Sequence, residues 1–269
     1  MIKPKRRIYY GWLVVAAASG IEFANAASAI GVLTVFVNPM IGEFGWSRTE
    51  VAGATSLGAI LGAVLAPFSG RLVDRVGSRV MLAVGGLLVG LGCAYLFFAQ
   101  TLIGFYVAFT VVRIADQGLI KIGAPPTVVK WFLRYRGRAM AMVFFAGSAG
   151  MIVMAPVVQL VIDAWGWRMA WLVLAGLMFT VGVVPSLLFV RRQPEDMGLH
   201  IDGIDPEPAE TDAPNAVESP GYLEVSWPLH QVVRTPSFWL ILVSLFVASA
   251  GSSGVGLHLI PHLTQQGLT

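Results

Sequence analysis

Four polar residues interrupt an apolar stretch near the middle of the chain: Arg113, Asp116, Gln117 and Lys121. On an α-helix Arg113, Gln117 and Lys121 recur at i, i+4 and i+8 and share a face, with Asp116 on its border. An arginine fork in such a place suits a carboxylate. A second apolar stretch carries Glu22, with Asn25 three residues further on. Glu22 could titrate and carry a proton, and Asn25 could hydrogen-bond a ligand. Charges inside apolar segments are costly, and by default they are read as parts of a substrate or ion path. The structural alternative is that Arg113 pairs with Asp116 or Glu22 only to join helices, and that Lys121 snorkels toward water.

Other residue patterns point elsewhere. Gly70-Arg71-Leu72-Val73-Asp74-Arg75-Val76-Gly77-Ser78-Arg79 lies between two apolar runs. It reads as a very short loop, in which Gly70 lets backbones approach and Gly77 makes the turn. Asp74, Arg75 and Arg79 can then latch one conformation through charge pairs or helix ends. His258 and His262 flank Pro261 at i, i+4. That spacing could hold a metal, but their place toward the end of an apolar run favours a pair lining a gate. Cys93 is the one cysteine, which excludes an internal disulfide and leaves it a packing role. No cofactor or metal is expected. The chain has no G-x-x-x-x-G-K-[ST], H-E-x-x-H or G-x-S-x-G run, so neither an ATP-driven pump nor a membrane hydrolase is supported, and no enzyme activity is expected.

The elements that must position these residues follow from composition. Hydrophobic residues make up 56% of the chain and charged residues 12%, about half the charged share of a soluble domain. Mean hydropathy is +0.74. The net charge of +3 is too small for a nucleic-acid binder. Seven segments approach the ~20 apolar residues that cross a hydrocarbon core: 9–37, 50–70, 80–99, 102–124, 139–162, 169–190 and 237–260. Lipid admits only helices or closed barrels, and strand-like alternation is absent, so the expected fold is all-α. Glu22 lies 13 residues after Tyr9 and Arg113 lies 11 after Leu102, roughly 20 Å and 17 Å along their helices. Both sit near the middle of a core of about 30 Å.

With the N-terminus in the cytoplasm, fourteen of the 18 basic residues fall on the inner side, and only Arg48 and Arg168 fall in outer loops. That bias sets the orientation. Tryptophans at both ends of the segments agree with it, with Trp12, Trp131, Trp227 and Trp239 expected at the inner interface and Trp46, Trp165, Trp167 and Trp171 at the outer. Residues 193–233 carry six prolines, and nine acids lie between Glu195 and Glu224, which reads as a polar, partly disordered linker. The expected organisation is a six-helix bundle over 1–190, a cytoplasmic linker over 191–235, and a seventh helix over 236–269. Small residues at four-residue spacing, such as Gly58 and Gly62, permit close helix packing.

The stretch from Gly70 to Arg79 resembles the signature G-x-L-x-D-R-x-G-x-R of the major facilitator superfamily. Tyr9-Tyr10-Gly11-Trp12, Phe44-Gly45-Trp46-Ser47-Arg48, Trp131-Phe132 with Arg136-Gly137-Arg138-Ala139, Gly166-Trp167-Arg168 and Arg191-Arg192-Gln193-Pro194-Glu195-Asp196-Met197-Gly198-Leu199 are similar to bacterial relatives of monocarboxylate and oxalate–formate porters. The resemblance implies a six-helix bundle of two inverted three-helix repeats, plus a seventh helix. It also implies alternating access, with the first and fourth helices lining a cavity where Arg113, Glu22, Asn25, Asp116 and Gln117 would meet substrate. One departure is that Thr34-Val35-Phe36 follows Gly31-Val32-Leu33, where animal monocarboxylate porters carry a lysine.

The function this implies is secondary active transport of small organic anions such as monocarboxylates, by proton symport or anion exchange. The expected setting is the inner (plasma) membrane, with membrane lipids as neighbours and no nucleic acid. Against five missing helices of a twelve-helix family, the chain is expected to be a truncated form that needs a C-terminal half. The alternative is a non-transporting seven-helix receptor or signalling protein.

Overall fold

The computed structural model describes residues 9–204 and 229–249. The chain divides into two compact units, Met1–Glu207 and Pro208–Thr269. Among the described residues of the first unit, six helices are long and apolar enough to cross a membrane: Gly11–Phe44, Arg48–Val76, Ser78–Phe98, Leu102–Val129, Arg136–Trp165 and Trp167–Phe189. In the second unit, a short helix at Leu229–Val232 is followed by an apolar helix at Pro236–Ser249. The rest of the seventh predicted segment, with His258 and His262, lies outside the described residues.

Three of the six spans are not continuous α-helix. The first consists of α1 (Gly11–Asn25), a 3-10 turn at Ala26–Ser28 and α2 (Ile30–Phe44). The second is α3 (Arg48–Val76) and the third α4 (Ser78–Phe98). The fourth runs through α5 (Leu102–Ala115), a π-helical turn at Asp116–Ile120 and α6 (Lys121–Val129). The fifth is α7 (Arg136–Trp165). The sixth comprises α8 (Trp167–Leu177), a π-helical stretch at Met178–Val183 and α9 (Val184–Phe189).

Local chemistry sets the ends. Ser47 and Glu50 form a capping box at the start of α3: the Glu50 N–H donates to Ser47 Oγ at 3.1 Å, and the Ser47 N–H donates to Glu50 Oε2 at 2.7 Å. Such a box satisfies two orphan donors at once. Gly77 alone joins α3 to α4, and Gly166 alone joins α7 to α8. Their backbones, at φ 86° ψ 154° and φ 84° ψ 162°, lie in a region that is almost exclusively glycine's.

Packing follows a doubled pattern. The first span packs on the fifth as the fourth packs on the second, and the third packs on the fourth as the sixth packs on the first. Exchanging the first three spans with the last three therefore maps the contacts onto one another, as an inverted repeat requires. The single-glycine joints Gly77 and Gly166 are equivalent under the same exchange. The core includes Phe36 stacked on Trp171, with ring centroids 4.0 Å apart, and Phe105 stacked on Phe109. Trp171 and Trp131 are fully buried. Both lie toward the ends of their spans, as expected, but pack inside the bundle and do not present their rings to its surroundings. Outward-facing Ile60, Phe68, Phe145, Ile152 and Leu160 are more than half exposed, which suits lipid as the surrounding solvent.

Candidate functional site

The first span breaks where its two halves meet. Ala29 adopts φ −67° ψ 145°, which is extended backbone, so the helical ladder stops at Ser28. The Ser28 hydroxyl donates to Asn25 O at 2.8 Å, and a serine hydroxyl bonded to its own backbone competes with helix in this way. The Ser28 carbonyl is freed and accepts from Arg113 Nη1 at 3.1 Å. Irregular backbone at membrane depth is tolerated where it is buried in protein or lines a cavity, and both conditions hold here.

The fourth span supplies the partner. In its π-turn the Lys121 N–H donates to Asp116 O, five residues back. Residues 116 and 121 therefore stack one turn apart, and Lys121 Nζ lies 3.8 Å from Asp116 Oδ1. Asp116 is 1% exposed and collects three hydrogen bonds. Asn25 Nδ2 donates to Oδ1 at 2.6 Å, and Arg113 Nη1 and Gln117 Nε2 donate to Oδ2 at 2.9 Å and 3.0 Å. A buried carboxylate is tolerable only when paired and hydrogen-bonded like this.

Two glycines on α3 make room for that arrangement. A Cβ on Gly58 would stand 2.5 Å from Arg113 Cβ, and one on Gly62 would stand 2.9 Å from Gln117 Cβ. The Gly58–Gly62 spacing thus seats α3 against the two polar residues of the fourth span. Thr55 and Thr110, on the two packed helices, are also buried.

A hollow of about 190 Å³ opens beside Arg113, lined on one side by Glu22, Asn25, Ser28, Arg113, Asp116 and Lys121. Phe144, Gly147, Ser148 and Met151 of α7 line the other. Glu22 lies over Gly147, where a Cβ would meet its Oε2 at 3.5 Å. Glu22 forms no ion pair among the described residues. Arg113 Nε and Asn25 Oδ1, on two residues that line the hollow, are buried without a hydrogen-bond partner among the described residues. Buried groups of this kind call for an account, such as a ligand or a water.

Of the residues expected from sequence, Arg113, Glu22, Asn25 and Asp116 meet in this hollow. Gln117 does not line it; it turns toward Gly62 and reaches only Asp116. The stripe of Arg113, Gln117 and Lys121 is not an unbroken face, because the π-turn adds a residue to the helical turn and rotates the helix beyond it. Asp116 is the hub and not the border. Lys121 points to Asp116 and does not simply snorkel, although its side chain is 52% exposed. The Arg113–Asp116 pair forms and an Arg113–Glu22 pair does not. Sequence reasoning missed the Ser28 carbonyl and the α7 wall.

The signature stretch differs from the expected loop. Gly70 through Val76 complete the last turns of α3, and Gly77 is the single joint. A Cβ on Gly70 would meet nothing within 4 Å among the described residues, so none of them makes a close backbone approach there. Asp74 and Arg75 are exposed and make no ion pair among the described residues. Arg79 Nη2 donates to Leu187 O at 2.6 Å, capping carbonyls at the end of α9.

At the same end of the bundle, the beginning of the expected linker folds back. Asp202 accepts from the N–H groups of Leu133 at 3.1 Å and Arg134 at 2.7 Å, just before α7, while its own N–H donates to Trp131 O at 3.1 Å. The Tyr9 hydroxyl donates to His200 O at 2.9 Å. Burial, with the Asp202 and Glu195 carboxylates nearby, pushes the Tyr9 phenol up to about 12, so it stays a donor. At the opposite end, Arg168 Nη1 lies 2.6 Å from Glu43 Oε1, and Trp167 Nε1 donates to Glu43 Oε2 at 2.7 Å. The sequence stretches that carried the family resemblance thus pack in two clusters, one at each end.

Comparison with known proteins accords with this architecture. Residues 18–269 match the Major Facilitator Superfamily profile. Human monocarboxylate transporter 1 is 28% identical over 182 residues, covering 66% of this chain and 36% of that protein. Mouse monocarboxylate transporter 11 is 28% identical over 182 residues, with 66% and 40% covered. The oxalate:formate antiporter of Oxalobacter formigenes is 23% identical over 235 residues, with 87% and 51% covered. The chain therefore spans about half or less of the length of these curated relatives. Among solved structures, the xylose transporter XylE from E. coli in an inward-open conformation superposes with a TM-score of 0.53 at 17% identity, over 70% of this chain and 49% of that one.

Proposed function

The chain belongs to the Major Facilitator Superfamily, and on that premise we propose that it serves as a secondary transporter of small organic anions, monocarboxylates first among them. The observation that carries this reading is the Arg113 fork. It is 6% exposed, lies near the middle of its span and lines the hollow, and its buried Nε donor has no partner among the described residues. A carboxylate is the anion whose shape matches such a fork. The hollow's volume of about 190 Å³ suits a substrate of a few heavy atoms. The names of the relatives, monocarboxylate transporters and an oxalate:formate antiporter, support the same substrate class.

The charges around the hollow bear on coupling. Arg113 and Lys121 balance Asp116 and Glu22 when all four are ionised. An incoming monoanion then makes the site net negative. Protonation of Glu22 restores neutrality, so one proton accompanies one monoanion, and uptake rises as the outside becomes more acidic. Anion exchange is the variant in which Glu22 keeps its proton and two anions take turns on Arg113. Glu22 is the favoured carrier because, unlike Asp116, it has no cationic partner among the described residues.

In the proposed cycle a second helical bundle supplies the facing wall, and the exposed Asp74 and Arg75 find partners there. In this reading the N-terminus is cytoplasmic, which the bias of basic residues supports, and the setting is the inner (plasma) membrane. The test is uptake of labelled lactate, pyruvate, formate and oxalate into proteoliposomes under an inward proton gradient, with a neutral sugar as control. Accumulation of at least one carboxylate above the sugar is expected. No accumulation across the panel by the protein reconstituted with both helical bundles contradicts the proposal.

A further inference from the structure

An apolar recess of about 370 Å³ lies away from the hollow, on the outer face of the six-span unit. Val80, Ala83, Val84 and Leu87 of α4 form one wall, and Val183 and Leu187 of the sixth span form the other. Val80, Val84, Leu87 and Leu187 are each more than two-fifths exposed, so the recess opens toward whatever surrounds the spans. Arg79 closes its end.

The dimensions fit one membrane leaflet. From Arg79 to Leu87 is eight residues of helix, roughly 12 Å of axial rise. Half of a hydrocarbon core is about 15 Å. Arg79 is the second residue of α4, at the level where headgroups lie. Its guanidinium is fixed there by the bond from Nη2 to Leu187 O at 2.6 Å. That bond spends one of five N–H donors, and Arg79 makes no ion pair among the described residues. Arg191 and Arg192 follow the end of α9 at Phe189 by two and three residues, adding positive charge at the end of the sixth span.

An apolar slot one leaflet long, ending on a fixed arginine, has the chemistry of a phospholipid tail with an anionic headgroup. We propose that this recess is a lipid site, holding one acyl chain of an anionic phospholipid with its phosphate on Arg79. The site is independent of any transported substrate.

Titration of the delipidated, purified chain with phosphatidylglycerol or phosphatidylcholine, read by native mass spectrometry, tests this. One phosphatidylglycerol should bind about fivefold tighter than phosphatidylcholine, the effect of roughly one basic side chain at an anionic surface. Arg79→Gln should bring phosphatidylglycerol down to the level of phosphatidylcholine. Val84→Trp, which fills the recess and leaves Arg79 in place, should remove the bound lipid. If Arg79→Gln fails to fold, the Val84→Trp result decides. Equal affinity for the two lipids in the unaltered chain, or a phosphatidylglycerol preference that survives Val84→Trp, overturns the proposal.

Discussion

Asp116→Asn and Arg113→Ala should move anion affinity in opposite directions. In the empty site Asp116 occupies Arg113 as an internal carboxylate, at 2.9 Å. A bound anion on the free side of the fork would lie about two hydrogen-bond lengths from Asp116, on the order of 6 Å. Two unit charges at that distance interact by about 3 kcal/mol at an effective dielectric near 20. Removing the Asp116 charge should therefore tighten binding of a monocarboxylate by up to about 100-fold. Arg113→Ala removes charge-assisted bonds worth roughly 1.5–3 kcal/mol each and should weaken binding by on the order of 100-fold. Both variants should insert in the membrane. Asp116→Asn should also be less stable by about 3 kcal/mol, near the low end for a broken buried pair, because Asn25, Gln117 and the Ser28 carbonyl remain as neutral partners. Equilibrium dialysis with labelled lactate and pyruvate gives the affinities, and thermal unfolding gives the stabilities. If Asp116→Asn weakens binding as much as Arg113→Ala does, the pair is a joint between helices and the reasoning fails.

Three further predictions rest on separate contacts. Glu22→Gln should flatten the rise of uptake toward acid pH while leaving an exchange mode intact, and an unchanged pH profile would remove Glu22 as the proton carrier. Gly58→Ala forces a Cβ to within 2.5 Å of Arg113 Cβ; overpacking of this kind costs about 1–3 kcal/mol, and both melting temperature and anion affinity should fall together. Asp202→Ala removes the acceptor for two backbone N–H groups ahead of α7, a loss of about 1 kcal/mol by analogy with helix caps. Amide exchange at Leu133 and Arg134 should then accelerate while exchange in the middle of α7 stays unchanged.

Hydropathy made the six spans legible, because an uninterrupted apolar run of this length rarely serves as anything but a membrane span. The site was legible for a related reason: Glu22, Arg113 and Asp116 stand out where charge is scarce. What sequence could not reveal was backbone irregularity. Ala26-Ala27-Ser28-Ala29 contains neither proline nor glycine, and each residue alone tolerates helix. The break there depends on a tertiary bond from Arg113 to Ser28 O, which no local pattern encodes. The π-turn at Asp116–Ile120 is equally silent, yet it turns a regular i, i+4 stripe into a hub with Lys121 stacked on Asp116. Pro67, Pro125, Pro126 and Pro156, by contrast, lie inside helices, so proline was no guide to the breaks. Tyr9, in one resemblance stretch, and His200, the residue after another, are nearly two hundred residues apart in sequence, and only the fold brings them together.

In the proposed transport cycle the anion sits in the hollow between the broken first span, the π-turn and α7. Ser148 lines that hollow, and the native Cys93 is 0% exposed, so Ser148→Cys supplies one accessible thiol. The decisive measurement is its rate of alkylation by a small maleimide, with and without saturating carboxylate, in protein shown to accumulate that carboxylate. Slowing of alkylation by the transported carboxylate, but not by a neutral sugar, is expected. An alkylation rate indifferent to the carboxylate while uptake proceeds would place the substrate elsewhere.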